Sequence, residues 1–215
     1  MSDRYPGYDV LNKRNSPSWN DLTRRVVDER LAIDPEQHRF FTDAEWLTVC
    51  ALCERIVPQV PHRTRLIPVP ALLDQKLDSD ARDGYRDARL PPIREAWRRA
   101  LFALDAEARS GHGRSFHQLD PIQQIELLLA VQTGQVQDPA WRNLPPKVFF
   151  TKRLLHDIVS AYYAHPTAWS EIGFGGPASP RGYVRLGFDR RDPWEASEAR
   201  PGREDRARHE NARIG

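Results

Sequence analysis

Residues 162–194 read YYAHPTAWSEIGFGGPASPRGYVRLGFDRRDPW. Gly173, Gly175, Gly176, Pro177, Pro180, Gly182 and Gly187 interrupt this stretch at short intervals. Proline fixes φ and removes a donor, and glycine is poorly held in regular structure, so no long helix or strand fits here. Between the interruptions stand Tyr162, Tyr163, Trp169, Phe174, Tyr183, Phe188 and Trp194. Rings of that size hide much apolar area when buried, and Tyr and Trp favour surfaces with one wet side. An irregular, aromatic-rich segment must pack on something, either the chain's own helices or another chain. The rest of the sequence predicts a helical platform that carries it.

Directly upstream, Phe149, Phe150, Leu154, Ile158, Val159, Tyr162 and Tyr163 give a broad apolar face. Their spacing predicts the longest helix over about Lys147 to Ala164, ended by His165-Pro166. Asp120-Pro121 opens another helix, with Ile122, Ile125, Leu128, Leu129 and Gln132, that stops near Gly134. Pro91-Pro92 precede a helix carrying Ile93, Trp97, Ala100, Leu101, Leu104 and Ala108 in register, with Gly111 and Gly113 as its stop. Pro70 opens a helix whose apolar side is Val69, Leu72, Leu73 and Leu77. Thr42-Asp43-Ala44-Glu45 is a full capping box, with Phe41 placed as a hydrophobic staple. Trp46, Val49, Cys50, Cys53, Ile56 and Val57 then recur at steps of three and four until Pro58. Earlier still, Ser18-Trp19-Asn20-Asp21 resembles a capping box before a short amphipathic helix with Leu22, Val26 and Arg30.

No run alternates over a useful length with β-branched residues, and Gly182 to Phe188 leaves room for a short hairpin at most. The fold class is therefore all-α: an irregular helical bundle with an aromatic, Gly/Pro-rich C-terminal segment and extended N- and C-terminal arms. The expected partition is residues 1–39 as an arm bearing the short helix, 40–194 as the helical domain and 195–215 as a charged, flexible tail. Asp189 to Gly215 holds seven basic and seven acidic residues and few rings, which is the composition of a solvated tail.

Composition excludes several classes. The formal net charge of the 215 residues is only +2, so no strong field draws in nucleic acid. No apolar run approaches the roughly 20 residues that span a bilayer. The first residues, MSDRYPGYDVLNKRNSP, contain no apolar stretch of the secretory kind, and none follows Arg24-Arg25, so a cytoplasmic location is expected.

Motifs that carry chemistry are scarce. The seven histidines form no H-x-x-x-H or H-E-x-x-H pattern. There is no G-x-S-x-G and no P-loop, and Gly173-x-Gly175-Gly176 lacks the strand and helix of a dinucleotide loop. Cys50-x-x-Cys53 puts two thiols on one helical face. A redox pair, half a metal site and two small core residues are the three readings, and the third needs no further residues.

Three pieces of the long stretch also form a pattern: Tyr162-Tyr163-x-His165-Pro166, Trp169-x-Glu171-Ile172-Gly173-Phe174-x-Gly176-Pro177, and Pro180-Arg181-Gly182-Tyr183. With Phe40-Phe41-Thr42-x-Ala44-Glu45-Trp46 and Arg55-Ile56-Val57-Pro58, the pattern resembles the gluconate 2-dehydrogenase subunit 3 family over roughly residues 40 to 194. The resemblance implies a small subunit of a membrane-associated, flavin-dependent sugar or polyol dehydrogenase. In such complexes the large subunit is a flavoprotein of the glucose-methanol-choline (GMC) oxidoreductase type that holds FAD and the catalytic residues. A c-type cytochrome often completes them. The small subunit is thought to support folding, assembly or export. Many members begin with a twin-arginine export signal, which is not found here; periplasmic location then implies export alongside a signal-bearing partner.

The expectation is thus a non-catalytic accessory subunit with no cofactor, metal or catalytic residue of its own, FAD residing in the partner. Its candidate partner-contacting residues are Trp19, Tyr163, His165, Trp169, Phe174, Pro177, Arg181, Tyr183 and Trp194. Tyr, Trp and Arg are the residue types that anchor interfaces. The competing reading is that this segment caps the subunit's own helices. Two rival functions stand beside the accessory role: an enzyme in its own right, and a stand-alone helical scaffold or regulatory protein without a redox role.

Overall fold

The computed structural model describes residues 4–59, 65–81, 84, 86–177, 182 and 184–213. The chain is all-α, with 56% of it helical and no sheet among the described residues. The hairpin considered for 182–188 does not form in the residues described there. The chain divides into two compact units, one formed by residues 34–162 and the other by residues 1–33 with 163–215.

The unit of residues 34–162 is built on α2 (Asp43–Ile56), α3 (Val69–Asp78), α4 (Ile93–His112), α5 (Pro121–Thr133), α6 (Pro146–Phe149) and α7 (Leu155–Tyr163, which reaches the unit boundary). Their ends follow local chemistry. Thr42 accepts from the Glu45 amide while the Glu45 carboxylate accepts from the Thr42 amide at 2.9 Å, so both halves of the capping box form. Asp120 caps α5 and Pro121 fills its first position, where a missing N–H costs nothing. Gly113 and Gly134 close α4 and α5 at φ of 69° and 79°. Gly111, expected as part of the stop, lies inside α4. At 20 residues α4 is the longest α-helix among the described residues, and the helical path from Pro146 to Tyr163, expected to be the longest, is interrupted by a π-helical stretch over Phe150–Leu154.

The core of this unit gathers Leu52, Leu73, Leu77, Trp97, Phe116, Phe149, Leu154 and Ile158, all essentially inaccessible. Phe41 packs edge-on against Trp97 with centroids 6.2 Å apart, and Trp97 against Phe149 at 5.5 Å. On α5 the buried side is Gln124, Leu127, Leu128 and Val131, which leaves Ile122, Ile125 and Leu129 exposed. That corrects the phase expected for this helix. Its sequence is apolar on nearly every side, so periodicity does not select one face.

Two buried acids organise the same unit. Asp74, 2% exposed, accepts the backbone N–H groups of Arg39 at 2.7 Å, Phe40 at 3.0 Å and Phe41 at 2.9 Å. This single carboxylate fixes the approach to α2. Asp157 on α7 accepts from Trp97 Nε1 and Lys76 Nζ.

In the other unit, α1 (Asp21–Leu31), α8 (Pro166–Glu171) and α9 (Glu204–Asn211) are joined by irregular chain and a 3-10 turn, Val10–Lys13. Asn20, not Ser18, caps α1, accepting the Thr23 amide at 2.8 Å. The inner side of α1 is Thr23 and Val27, whereas Leu22 is 62% exposed. The core cluster is Tyr8, Val10, Trp19, Val27 and Trp169, with Tyr5, Leu11, Leu31, Trp194 and Ala196 packed on it.

Among the described residues, neither end of the chain is an extended arm. Asn211, wholly buried, donates to the carbonyls of Pro6 and Ser197, both at 3.0 Å, and accepts the Ser197 amide at 2.6 Å. The Ala199 amide donates to the Arg4 carbonyl at 2.8 Å. The stretch expected to be flexible thus forms α9 and joins the N-terminal residues. A low-aromatic, charge-balanced composition gives no hint of this, because the closure is made by a few contacts between residues far apart in sequence, those of Asn211 and Arg4 among them.

Candidate functional site

The helix expected to hand the chain to the aromatic segment does so at His165. Its ring nitrogen accepts the Thr167 amide at 3.3 Å, and Pro166 starts α8. Within α8, Trp169 donates its indole N–H to the Tyr163 carbonyl at 2.6 Å and meets Phe174 edge-on at 5.9 Å. Arg30 lies over the Trp169 ring at 5.8 Å and donates to the Ala164 carbonyl at 2.8 Å. Burial of the Arg30 guanidinium lowers its pKa.

The glycines of this segment are places of close approach. At Gly176, with φ of 68°, an added Cβ would stand 3.0 Å from Trp169 and 3.1 Å from Trp19. At Gly173 it would stand 2.5 Å from the Tyr5 ring. A side chain at either position would strain the backbone and displace a ring. Lys13 is 2% exposed; its ammonium donates to Ser18 Oγ at 3.1 Å and lies over the Trp19 ring at 5.4 Å. A cleft of about 300 Å³ opens beside it, with Phe174, Gly175, Arg185, Trp194 and Glu195 in its wall. Tyr8 donates its hydroxyl to the Trp194 carbonyl at 3.3 Å, and its pKa is pushed up to about 12 chiefly by burial.

The unit therefore brings Trp19, Tyr163, His165, Trp169, Phe174 and Trp194 into one region of structure. Their exposures differ. Trp19, His165 and Trp169 are 2%, 1% and 4% exposed, so they are packed inside and present no free face to a partner. This corrects their assignment as contact residues: the rings flank glycines that let the backbone close over them. The Trp19 indole N–H is buried without an acceptor among the described residues. Tyr163 and Phe174 keep 45% and 38% exposed, and Pro177 and Trp194 are half-buried. Arg181 and Tyr183 lie outside the described residues. Large apolar side chains not among the expected contact residues remain outside: Val184, Leu186 and Phe188, the last 94% exposed. Alternation of apolar residues with Arg185 and Gly187 is the signal that marks them.

The thiols are quiet. Burial pushes Cys50 up to about 11 and Cys53 higher still, so both are protonated at neutral pH and poor as nucleophiles or metal ligands. Among the described residues no group of three His, Cys, Asp or Glu side chains is placed to hold a metal ion. No helix among them is long and apolar enough to cross a membrane.

A family model described as gluconate 2-dehydrogenase subunit 3 matches residues 43–176. The match begins at Asp43, the first residue of α2, and ends at Gly176, leaving Pro177 and the Pro180-Arg181-Gly182-Tyr183 piece beyond it. Comparison with curated proteins and with solved structures gives no match.

Proposed function

The chain belongs to the gluconate 2-dehydrogenase subunit 3 family, and from that premise we propose that it is the accessory small subunit of an FAD-dependent sugar or polyol dehydrogenase. Membership makes it one subunit of a dehydrogenase complex. In this reading the large subunit is a GMC-type flavoprotein that holds FAD and performs the oxidation, and a c-type cytochrome is a further partner. The chain is not itself catalytic; it binds the flavoprotein and supports its folding, assembly or export.

The observation that carries this reading is the family match over residues 43–176. Exposed apolar side chains support it as surfaces for a partner: Val184, Leu186 and Phe188 in one unit, and Ile122, Ile125 and Leu129 along α5 in the other. The test is to isolate the full chain from its native cell under mild conditions and ask what comes with it. A yellow, flavin-containing chain in stoichiometric amount is the expected result. Recovery without any flavoprotein sinks the proposal, and sugar oxidation by the purified chain alone with an artificial acceptor moves the catalysis into this subunit.

A further inference from the structure

The unit that contains α9 holds a cleft of about 530 Å³ walled by guanidinium groups. Arg185, Arg191, Arg200, Arg203 and Arg206 all line it. Three carboxylates share the wall, Glu195, Glu198 and Glu210, and each is already engaged. Glu195 takes Arg185 through both oxygens at 2.9 Å. Glu198 takes Arg4 Nε at 2.6 Å, and Glu210 takes Arg206 Nε at 2.8 Å together with the Ser197 hydroxyl. Arg185 and Arg206 take two of the three carboxylates and Arg4, from outside the wall, takes the third, so three of the five wall guanidiniums have no carboxylate of their own.

The surplus can be located. Arg191 directs its donors to Ser197 Oγ and the Ala196 carbonyl, both uncharged, and stands 3.7 Å from Glu195. Arg200 and Arg203 are exposed, and neither makes an ion pair or a side-chain hydrogen bond among the described residues. Glu198, two residues before Arg200, feels its charge but is hydrogen-bonded to Arg4, and Glu204 and Asp205, which follow Arg203, are not part of the wall.

We propose that this cleft binds a small oxyanion carrying two or more negative charges, of the polycarboxylate or phosphate class. A guanidinium presents paired N–H groups in a plane that matches two oxygens of either group. The volume lies in the small-molecule range, and the wall offers charged donors where a flavin ring would need apolar contact. All five arginines are exposed, so the attraction is screened and falls as salt rises. The inference is independent of the dehydrogenase partner.

The experiment is calorimetric titration of the full chain with citrate and, separately, with inorganic pyrophosphate, at constant ionic strength and with chloride as the control anion. The expected result is saturable one-site binding of at least one probe. In the Arg200→Ala/Arg203→Ala double variant that binding weakens about tenfold or more, while Arg25→Ala on α1 leaves it unchanged. Citrate alone binding assigns the cleft to carboxylates, pyrophosphate alone to phosphates. Circular dichroism of the double variant checks that α9 is retained. No saturable binding of either probe at millimolar concentration, heat no different from that of chloride, or equal affinity in the double variant overturns the proposal.

Discussion

The indole N–H of Trp97 donates to Asp157 Oδ2 at 2.8 Å, and neither side chain is accessible to solvent. The other oxygen of Asp157 accepts Lys76 Nζ at 3.1 Å and lies 3.7 Å from Arg153. One carboxylate thus joins α3, α4 and α7 at the centre of their unit. A buried charge persists only where partners replace the water it has lost, and here an indole and two cations do so.

Removing that carboxylate should be costly. Asp157→Leu leaves the Trp97 N–H buried without its acceptor and strips the anion from beside two cations. A loss of about 3–5 kcal/mol in unfolding free energy is expected. Asp157→Asn keeps an oxygen for the indole and should cost less. Urea denaturation followed by tryptophan fluorescence distinguishes the two; equal losses, or a loss below about 1 kcal/mol for Leu, would show that the contact does not hold the helices.

Asp74 makes a comparable prediction by a different route. Its partners are three backbone N–H groups, at Arg39, Phe40 and Phe41, which no substitution at those residues except proline removes. Asp74→Ala leaves them without an acceptor, at about 1–3 kcal/mol for a buried donor. The Phe40 and Phe41 amides should then exchange with solvent much faster while α4 stays protected. Unchanged exchange at both amides in a folded variant would contradict this role for Asp74.

These acids also mark where reading the sequence stops short. The capping box at Thr42, the Asp120-Pro121 start and the Gly113 and Gly134 stops are legible because each depends on residues a few positions apart. Asp157 meets Trp97 across 60 residues, and Asn211 meets Pro6 across 205, with no local pattern to announce either. In α1 the sequence favours Leu22 and Val26, whereas Thr23 and Val27 are buried; a short, charged helix carries too weak a period to fix its phase. The aromatic segment was recognisable as a packing surface. Which rings face inward depends on glycines whose neighbours, Tyr5 and Trp19, come from the far end of the chain.

If Leu186 and Phe188 contact the flavoprotein, they should separate from Trp169 by substitution. Leu186→Ser and Phe188→Ser alter residues 64% and 94% exposed, so melting of the free subunit should hardly change. Capture of the flavoprotein should weaken by about 1–3 kcal/mol for each. Trp169→Ala, at a site 4% exposed, should instead cost about 3–5 kcal/mol of stability. Undiminished capture by both serine variants would remove this loop from the interface.

Gly176 and Gly202 share a left-handed backbone, with φ of 68° and 74°, but differ in what surrounds them. Alanine at Gly202 meets nothing within 4 Å and should cost only the conformational term, about 1–2 kcal/mol. Alanine at Gly176 adds a collision with Trp169 and Trp19 and should cost distinctly more, with a change in near-ultraviolet dichroism from the displaced indoles. Identical melting of the two variants would mean that the rings move aside freely.

Acid should loosen the C-terminal part of its unit through Glu198 and Glu210. The hydrogen bond from Arg4 lowers the pKa of Glu198 below its ordinary 4.5, and those from Ser197 and then Arg206 lower that of Glu210. A group depressed on folding contributes stability that is fully present above its unfolded value. That stability disappears as pH falls through the lower folded value. Amides of α9 should therefore exchange progressively faster from about pH 4.5 downward, relative to those of α4 in the other unit. Both carboxylates are exposed, so added salt should shrink the effect. The double variant Glu198→Gln/Glu210→Gln supplies the decisive comparison, because many other acids titrate in the same range. It should be less stable than the parent at neutral pH, and the difference should close as the pH falls. A difference that stays constant down to about pH 3 would show that these two pairings do not hold the terminus.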